Sequence, residues 1–176
     1  EGVIEERIER LAANLRAALT VASVEGEEFT AEVVARVQER EEGEILSRLS
    51  NELDRKHRLV RAHSIQRVDG QLLSCYRFQH TLVQKYLYNS LDEVERVHLH
   101  GRVGQVLEDL YPNQAGIANI SPQLARHFLE RFAREMGKAV RDIAPATLAI
   151  LERHAWPGNV RELENVIERA VALETT

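Results

Sequence analysis

The sequence predicts a mostly α-helical chain of two modules. Three observations predict it. Apolar residues recur at spacings of three and four along most of the chain. That period gives way once, between residues 59 and 79, to alternation about Asp69–Gly70, a strong hairpin signal. Breakers at Tyr111–Pro112–Asn113, Ser121–Pro122, Gly137 and Trp156–Pro157–Gly158 then divide the second half into short helical stretches.

The bulk numbers bound the class. The 176 residues suffice for one large or two small domains. With 44% hydrophobic and 29% charged residues the chain reads as globular. A formal charge of −5 argues against a general coat for nucleic acid. The one cysteine, Cys75, excludes an internal disulfide and a multi-cysteine metal site, and suits a reducing cytoplasm. No apolar run approaches a membrane span, so no membrane partner is expected. A start at Glu1 without Met suggests a piece of something longer.

In order, residues 4–22 read as one amphipathic helix, with Ile4, Ile8, Leu11, Leu15 and Leu19 on one side and Gly26 closing the region. Thr30 is a candidate cap for a second helix carrying Val33, Val34 and Val37. Gly43 interrupts. A third helix over about 44–56 buries Ile45, Leu46, Leu49 and Leu53. Strands 59–68 and 72–79 follow. A two-residue loop would pair Ala62 with Arg77 and mix the faces. An odd loop or a bulge pairs Val68 with Leu72 and Ala62 with Phe78, and sends Arg61, His63, Arg67 and Arg77 to the other face. The odd loop is preferred, because register follows the hydrophobic pattern.

Three helices followed by a two-stranded ribbon outline a winged-helix domain. Leu19-Thr-Val-Ala-Ser-Val-Glu-Gly-Glu-Glu-Phe29 and Tyr76-Arg-Phe-Gln-His80, with the helix from about 92 to 111, resemble the winged-helix module behind the ATPase core of bacterial STAND-type regulators. The resemblance covers roughly 5–128. It implies a signal-transduction ATPase as the parent protein, with this module packing on the core.

Residues 112–121 read as a polar connection. The helix from 122 to 136 opens at Pro122 and carries Leu124, Phe128, Leu129 and Phe132. Another, from about 145 to 154, opens at Pro145. The last helix starts at Asn159, with Glu162 as its capping-box partner and Val160, Leu163, Val166, Ile167, Ala170 and Val171 on its buried side. That start places Arg161 in the first turn, where free N–H groups and the helix dipole attract anions. A guanidinium there suits a phosphate oxygen. A surface ion pair with Glu164 or Glu168 on its own helix is the plainer alternative.

The run Trp156-Pro-Gly-Asn-Val-Arg-Glu-Leu-Glu-Asn-Val-Ile-Glu-Arg-Ala-Val resembles the C-terminal lid of the AAA+ domain in bacterial enhancer-binding activators that act on sigma-fifty-four (sigma-N) RNA polymerase. The match runs from about Leu124 to Ala172, so the two resemblances meet at Leu124–Phe128. It implies that Arg161, with Gly158 and Asn159 shaping its helix start, senses the γ-phosphate of ATP. It also implies ATP and Mg as cofactors of the parent protein, and a AAA+ or STAND ATPase core, in cis or from a neighbouring subunit, as partner. RNA polymerase holoenzyme would be engaged only through that parent.

The chain has no G-x-x-x-x-G-K-[ST] phosphate loop; Gly137–Lys138 is followed by Ala139 and has Phe132 where the first glycine should be. Leu91–Asp92–Glu93 reads as a helix start and not a metal-binding strand end. The sigma-contacting loop also lacks a counterpart. The chain alone is therefore expected to be non-catalytic. Its expected organisation is a winged-helix module over 1–111, a linker over 112–121 and a lid-like module over 122–176.

A DNA-binding module is the alternative function. Residues 52–80 hold six basic groups against three acidic ones. Arg55, Lys56, Arg61, Arg67 and Arg77 are the candidate contacts. Glu44, Glu52 and Asp54 on the third helix weaken that reading. His98 and His100, two apart on a helix, point apart and make a poor metal pair. The other histidines show no ligand spacing, so no metal site is expected. Cys75 reads as a structural thiol, and Trp156 as a core anchor.

Overall fold

The structure, a computed structural model, describes residues 2–68, 70–111 and 114–174, with the side chains of Val3, residues 114–120 and Asn159 outside the description. In order it contains α1 (Gly2–Glu9), α2 (Ala13–Glu25), β1 (Glu28–Thr30), α3 (Ala31–Gln38), α4 (Glu42–Ser47, continued by a π-helical run Arg48–Lys56) and β2 (Val60–Val68). Then come β3 (Gln71–Phe78), α5 (Thr81–Asn89), α6 (Glu93–Leu110), α7 (Gln114–Glu135), α8 (Pro145–Arg153) and α9 (Asn159–Leu173). The fold is mainly helical with one small antiparallel sheet. Two compact units divide at Leu99/His100, inside α6, where the sequence placed the change at 111–112.

The first unit buries most of the expected stripes on somewhat different elements, with Ile4 and Leu46 only half-buried. Ile8, Leu11, Leu15 and Leu19 are all buried. The helix carrying them is broken at residues 10–12, because the Leu11 N–H turns back to Ile8 and α2 starts afresh from Ala12. Gly26 closes α2 with φ 131°, a conformation open to glycine. Thr30 precedes α3 as expected, but its hydroxyl makes no cap; the buried Glu25 carboxyl oxygen accepts the Thr30 N–H at 3.0 Å instead. Gly43 does not interrupt: it lies in the first turn of α4, facing open space. The widened turns of the π-helical run keep Leu49 and Leu53 in line with Ile45, and all three are fully buried.

The sheet order is β1-β3-β2. β1, too short to show a period, was not foreseen in the sequence. The hairpin register differs from the preferred one. Val68 pairs with Gln71, so two residues close the turn, of which Asp69 lies outside the described residues. Ala62 pairs with Tyr76 and not with Phe78. A bulge between Ala62 and Ser64 makes the phase change that an odd loop would have made. Neighbours Cys75 and Tyr76 point to opposite faces, and both are buried, so β3 is covered on both sides there. Phe29 stacks on Tyr76 at 6.0 Å and meets Phe78 at 5.3 Å. The Tyr76 hydroxyl reaches the Ser50 hydroxyl at 2.7 Å.

In the second unit α7 packs against α8 and α9. It is longer than expected, since the helix starts at Gln114 and passes through Pro122. Residues 114–121, read as a connection, are therefore helical, while Pro112 and Asn113 lie outside the described residues. Leu124, Phe128, Leu129 and Phe132 are buried as expected. Gly137, at φ 63°, ends this helix: its N–H bonds Arg134 O at 3.1 Å and the Lys138 N–H bonds Ala133 O at 2.7 Å. The buried side of α9 is narrower than expected. Leu163, Ile167 and Val171 are buried, but Val166 is 43% exposed and Ala170 is exposed, because only the i, i+4, i+8 line meets α7. No helix among the described residues is long and apolar enough to cross a membrane.

Glu25 generates a pH prediction. Burial, opposed by the Thr30 hydrogen bonds, raises its pKa from 4.5 to about 8. The folded chain keeps this proton while the unfolded chain loses it near 4.5. Stability therefore falls as pH rises through that window, by on the order of a few kcal/mol. Glu25→Gln keeps an acceptor for the Thr30 N–H without a charge. Its urea midpoint is expected to change far less than that of the parent chain between pH 5.5 and 8.5.

Candidate nucleotide-sensing site

The site is built on the bend between α8 and α9. Pro145 opens α8 at its first turn, and the chain turns extended at His154. Trp156 then adopts φ 48°, a left-handed conformation that a bulky residue holds only when its surroundings compel it. Three contacts do so. The indole is 2% exposed, its N–H donates to Leu151 O at 2.9 Å, and the Trp156 backbone N–H donates to His154 Nδ1 at 3.0 Å. The indole thus serves a carbonyl in the last turn of α8. Because Nδ1 accepts a hydrogen bond, the neutral ring carries its proton on Nε2, which faces Glu162 Oε1 at 4.0 Å.

Glu162 ties the bend to the next helix. Its other oxygen accepts the Gly158 N–H at 2.8 Å. The cap is therefore Gly158, one residue before the expected Asn159, and as a glycine it brings no capping side chain of its own. The carboxylate half of the expected box survives, displaced by one position. The Asn159 side chain lies outside the described residues. A Cβ on Gly158 would stand 2.8 Å from the Cβ of Glu162, so this approach needs glycine.

Arg161 follows in the first turn of α9 and is exposed. It lines an open depression of about 520 Å³ with Gly158, Val160 and Glu164 of α9 and Gln105, Glu108 and Asp109 of α6. Among the described residues it has no ion-pair partner. Glu164 is bonded instead to Arg131 of α7. Glu108 is half-buried, and burial, reinforced by Glu164 and opposed by Arg131, pushes its carboxyl above the usual range. The site therefore presents one guanidinium at a helix start, unpaired among the described residues, beside a Glu164 whose carboxylate is held by Arg131.

Residues 121–176 match the AAA+ ATPase lid domain. The chain is 45% identical over 80 residues to the transcriptional regulatory protein ZraR of Klebsiella oxytoca, covering 46% of this chain and 18% of that protein. It is 60% identical over 50 residues to the nitrogen fixation protein VnfA of Azotobacter vinelandii (28% and 10%), and 48% identical over 52 residues to the regulatory protein AtoC of Escherichia coli (30% and 11%). The chain thus spans less than a fifth of these curated relatives' length. No solved structure matches. The resemblance of the second module to the AAA+ lid of sigma-fifty-four-dependent activators stands on these matches.

The alternative DNA candidates lie in the first unit. Arg55, Lys56, Arg61, Arg67 and Arg77 are all exposed. Arg61 and Arg77 are directly opposite in the ladder and line a depression with Asp54, His63 and Gln79. Arg55 reaches Asn51 on its own helix at 3.4 Å, and His63 faces Glu28 at 3.6 Å. Cys75 is buried, and burial pushes its thiol up.

One buried pair carries no local signal in the sequence. His100 and His127, 27 residues apart, meet at 2.6 Å between their Nδ1 atoms, while His98 is exposed. Burial, then His100 and Arg126, hold the His127 pKa well below 6.5. Only the packing of α6 on α7, with Gly104 against the His127 ring, brings the two together. No group of three or more metal-ligating side chains occurs among the described residues.

Gly158→Ala is expected to cost the second unit about 1–3 kcal/mol through overpacking. The shift in denaturant midpoint measures it. Adding Glu162→Ala should not relieve the cost, because the contact is with Cβ.

Proposed function

We propose that this chain is a non-catalytic part of an ATP-dependent bacterial regulator, and that Arg161 senses nucleotide held by an ATPase core that the chain lacks. The observation that carries the reading is an exposed arginine, unpaired among the described residues, in the first turn of α9 within the segment matched to the lid. The names of the relatives, transcriptional regulatory protein ZraR among them, point the whole protein toward transcription. On this reading the core supplies ATP and Mg. The lid contributes one cation and the bend that aims it. RNA polymerase holoenzyme is reached through the parent protein.

The first unit is read as a winged-helix module packing on that core. What supports this is the order α2-β1-α3-α4-β2-β3 with sheet order β1-β3-β2; on this reading the β2–β3 hairpin is the wing.

The test supplies an AAA+ core without its lid, taken from ZraR, to the full chain and follows a fluorescent ATP analogue. Binding is expected only in the mixture. Arg161→Ala should weaken it about 10- to 100-fold, the loss of one charge-assisted hydrogen bond of about 1.5–3 kcal/mol. Equal binding by the variant would end the reading.

A second reading has one observation in its favour: two guanidiniums opposed across β2 and β3, an arrangement that repels unless an anion intervenes. If this face holds duplex DNA, affinity falls steeply with salt. Arg61→Ala and Arg67→Ala should each then lower the log–log salt slope by about 1. A flat salt response would remove this reading.

A further inference from the structure

Three carboxylates line the depression around Arg161, and two of them are bonded to other side chains. Asp109 accepts the side-chain amide of Gln105 at 3.2 Å. Glu108 is half-buried beside Glu164 and Arg131. Glu164 is bonded to the Arg131 guanidinium. Of the three, Glu164 is the natural competitor for Arg161. It lies three residues on in the same helix, a spacing at which opposite charges share a face and ordinarily pair.

Arg131 is well placed to prevent that pairing. Its guanidinium lies 4.4 Å from the ring centre of Phe132 and 5.2 Å from that of Phe128. Its Nε faces Glu135 on its own helix at 3.9 Å. The aromatic faces and the acid one turn on orient the guanidinium on α7, and Glu164 comes to it. Lysine could not reproduce this, since the planar group is needed to lie over the rings and bond a carboxylate at its edge.

We propose that Arg131 is a positioning residue, which by holding Glu164 against α7 leaves the Arg161 guanidinium unpaired and open to an anion. The inference takes its purpose from the nucleotide reading, and its geometry stands without it. Removing Arg131 frees Glu164 to swing one turn back along α9. Arg161 then becomes half of a surface ion pair, and an incoming phosphate must compete for it.

Phenylglyoxal, which modifies accessible and unpaired guanidiniums, tests this on the full chain without any nucleotide. Modification at Arg161 is followed by peptide mass spectrometry, with exposed Arg153 as internal reference. Arg131→Met is expected to slow Arg161 about twofold relative to Arg153, the strength of one helical ion pair. Glu164→Gln alone should leave the rate unchanged. Arg131→Met/Glu164→Gln should restore it, which a merely structural loss would not allow. An unchanged rate in Arg131→Met overturns the proposal. So does a double variant that stays slow, or an equal change at Arg153. Failure of the nucleotide reading would appear separately, as ATP binding indifferent to Arg161→Ala when the core is supplied.

Discussion

The geometry of the second unit depends on holding one tryptophan in a conformation it would not choose. The left-handed backbone at Trp156 costs of order 1–3 kcal/mol by itself. Burial of the indole, its bond to Leu151 O and the N–H bond to His154 offset that cost. The bend they enforce puts Gly158 where only glycine fits against Glu162, and starts α9 one residue earlier than side-chain chemistry alone would suggest. Arg161 inherits its position from this chain of constraints.

Charge then decides what the position is worth. An arginine at a helix start among glutamates would ordinarily be neutralised by its neighbours. Here the competing carboxylates have other partners: Glu162 holds Gly158 N–H and faces His154, and Glu164 holds Arg131. Exposed ion pairs are worth little, so small preferences of this kind are enough to redirect them. The depression remains acidic in composition although its one unpaired cation is Arg161 among the described residues.

The first unit solves a different problem. Its short sheet is buried on both sides at the middle of β3, and two acids are taken inside with it. Glu25 and Glu32 each accept a backbone N–H, from Thr30 and Ser74 respectively. These bonds tie α2 to β1 and α3 to β3 at fixed points. Glu25 meets the desolvation of its charge by keeping its proton, which makes the unit's stability answer to pH.

Much of this was legible in the chain itself. The helical stripes, the hairpin, the Gly137 stop and the buried Trp156 all follow from periodicity and breaker chemistry, which are local. So does the lid-like motif, because it is a contiguous run of residues. Three features were decided only in three dimensions. The bulge at Ala62/Ser64 depends on which faces the packed helices cover. The continuation of α7 through Pro122 is possible because a proline removes one donor and not the whole ladder. The freedom of Arg161 depends on Arg131, thirty positions away in sequence and on another helix. A local pattern specifies which residues can face one another along one element. Only packing between elements settles which of several available partners a charge takes.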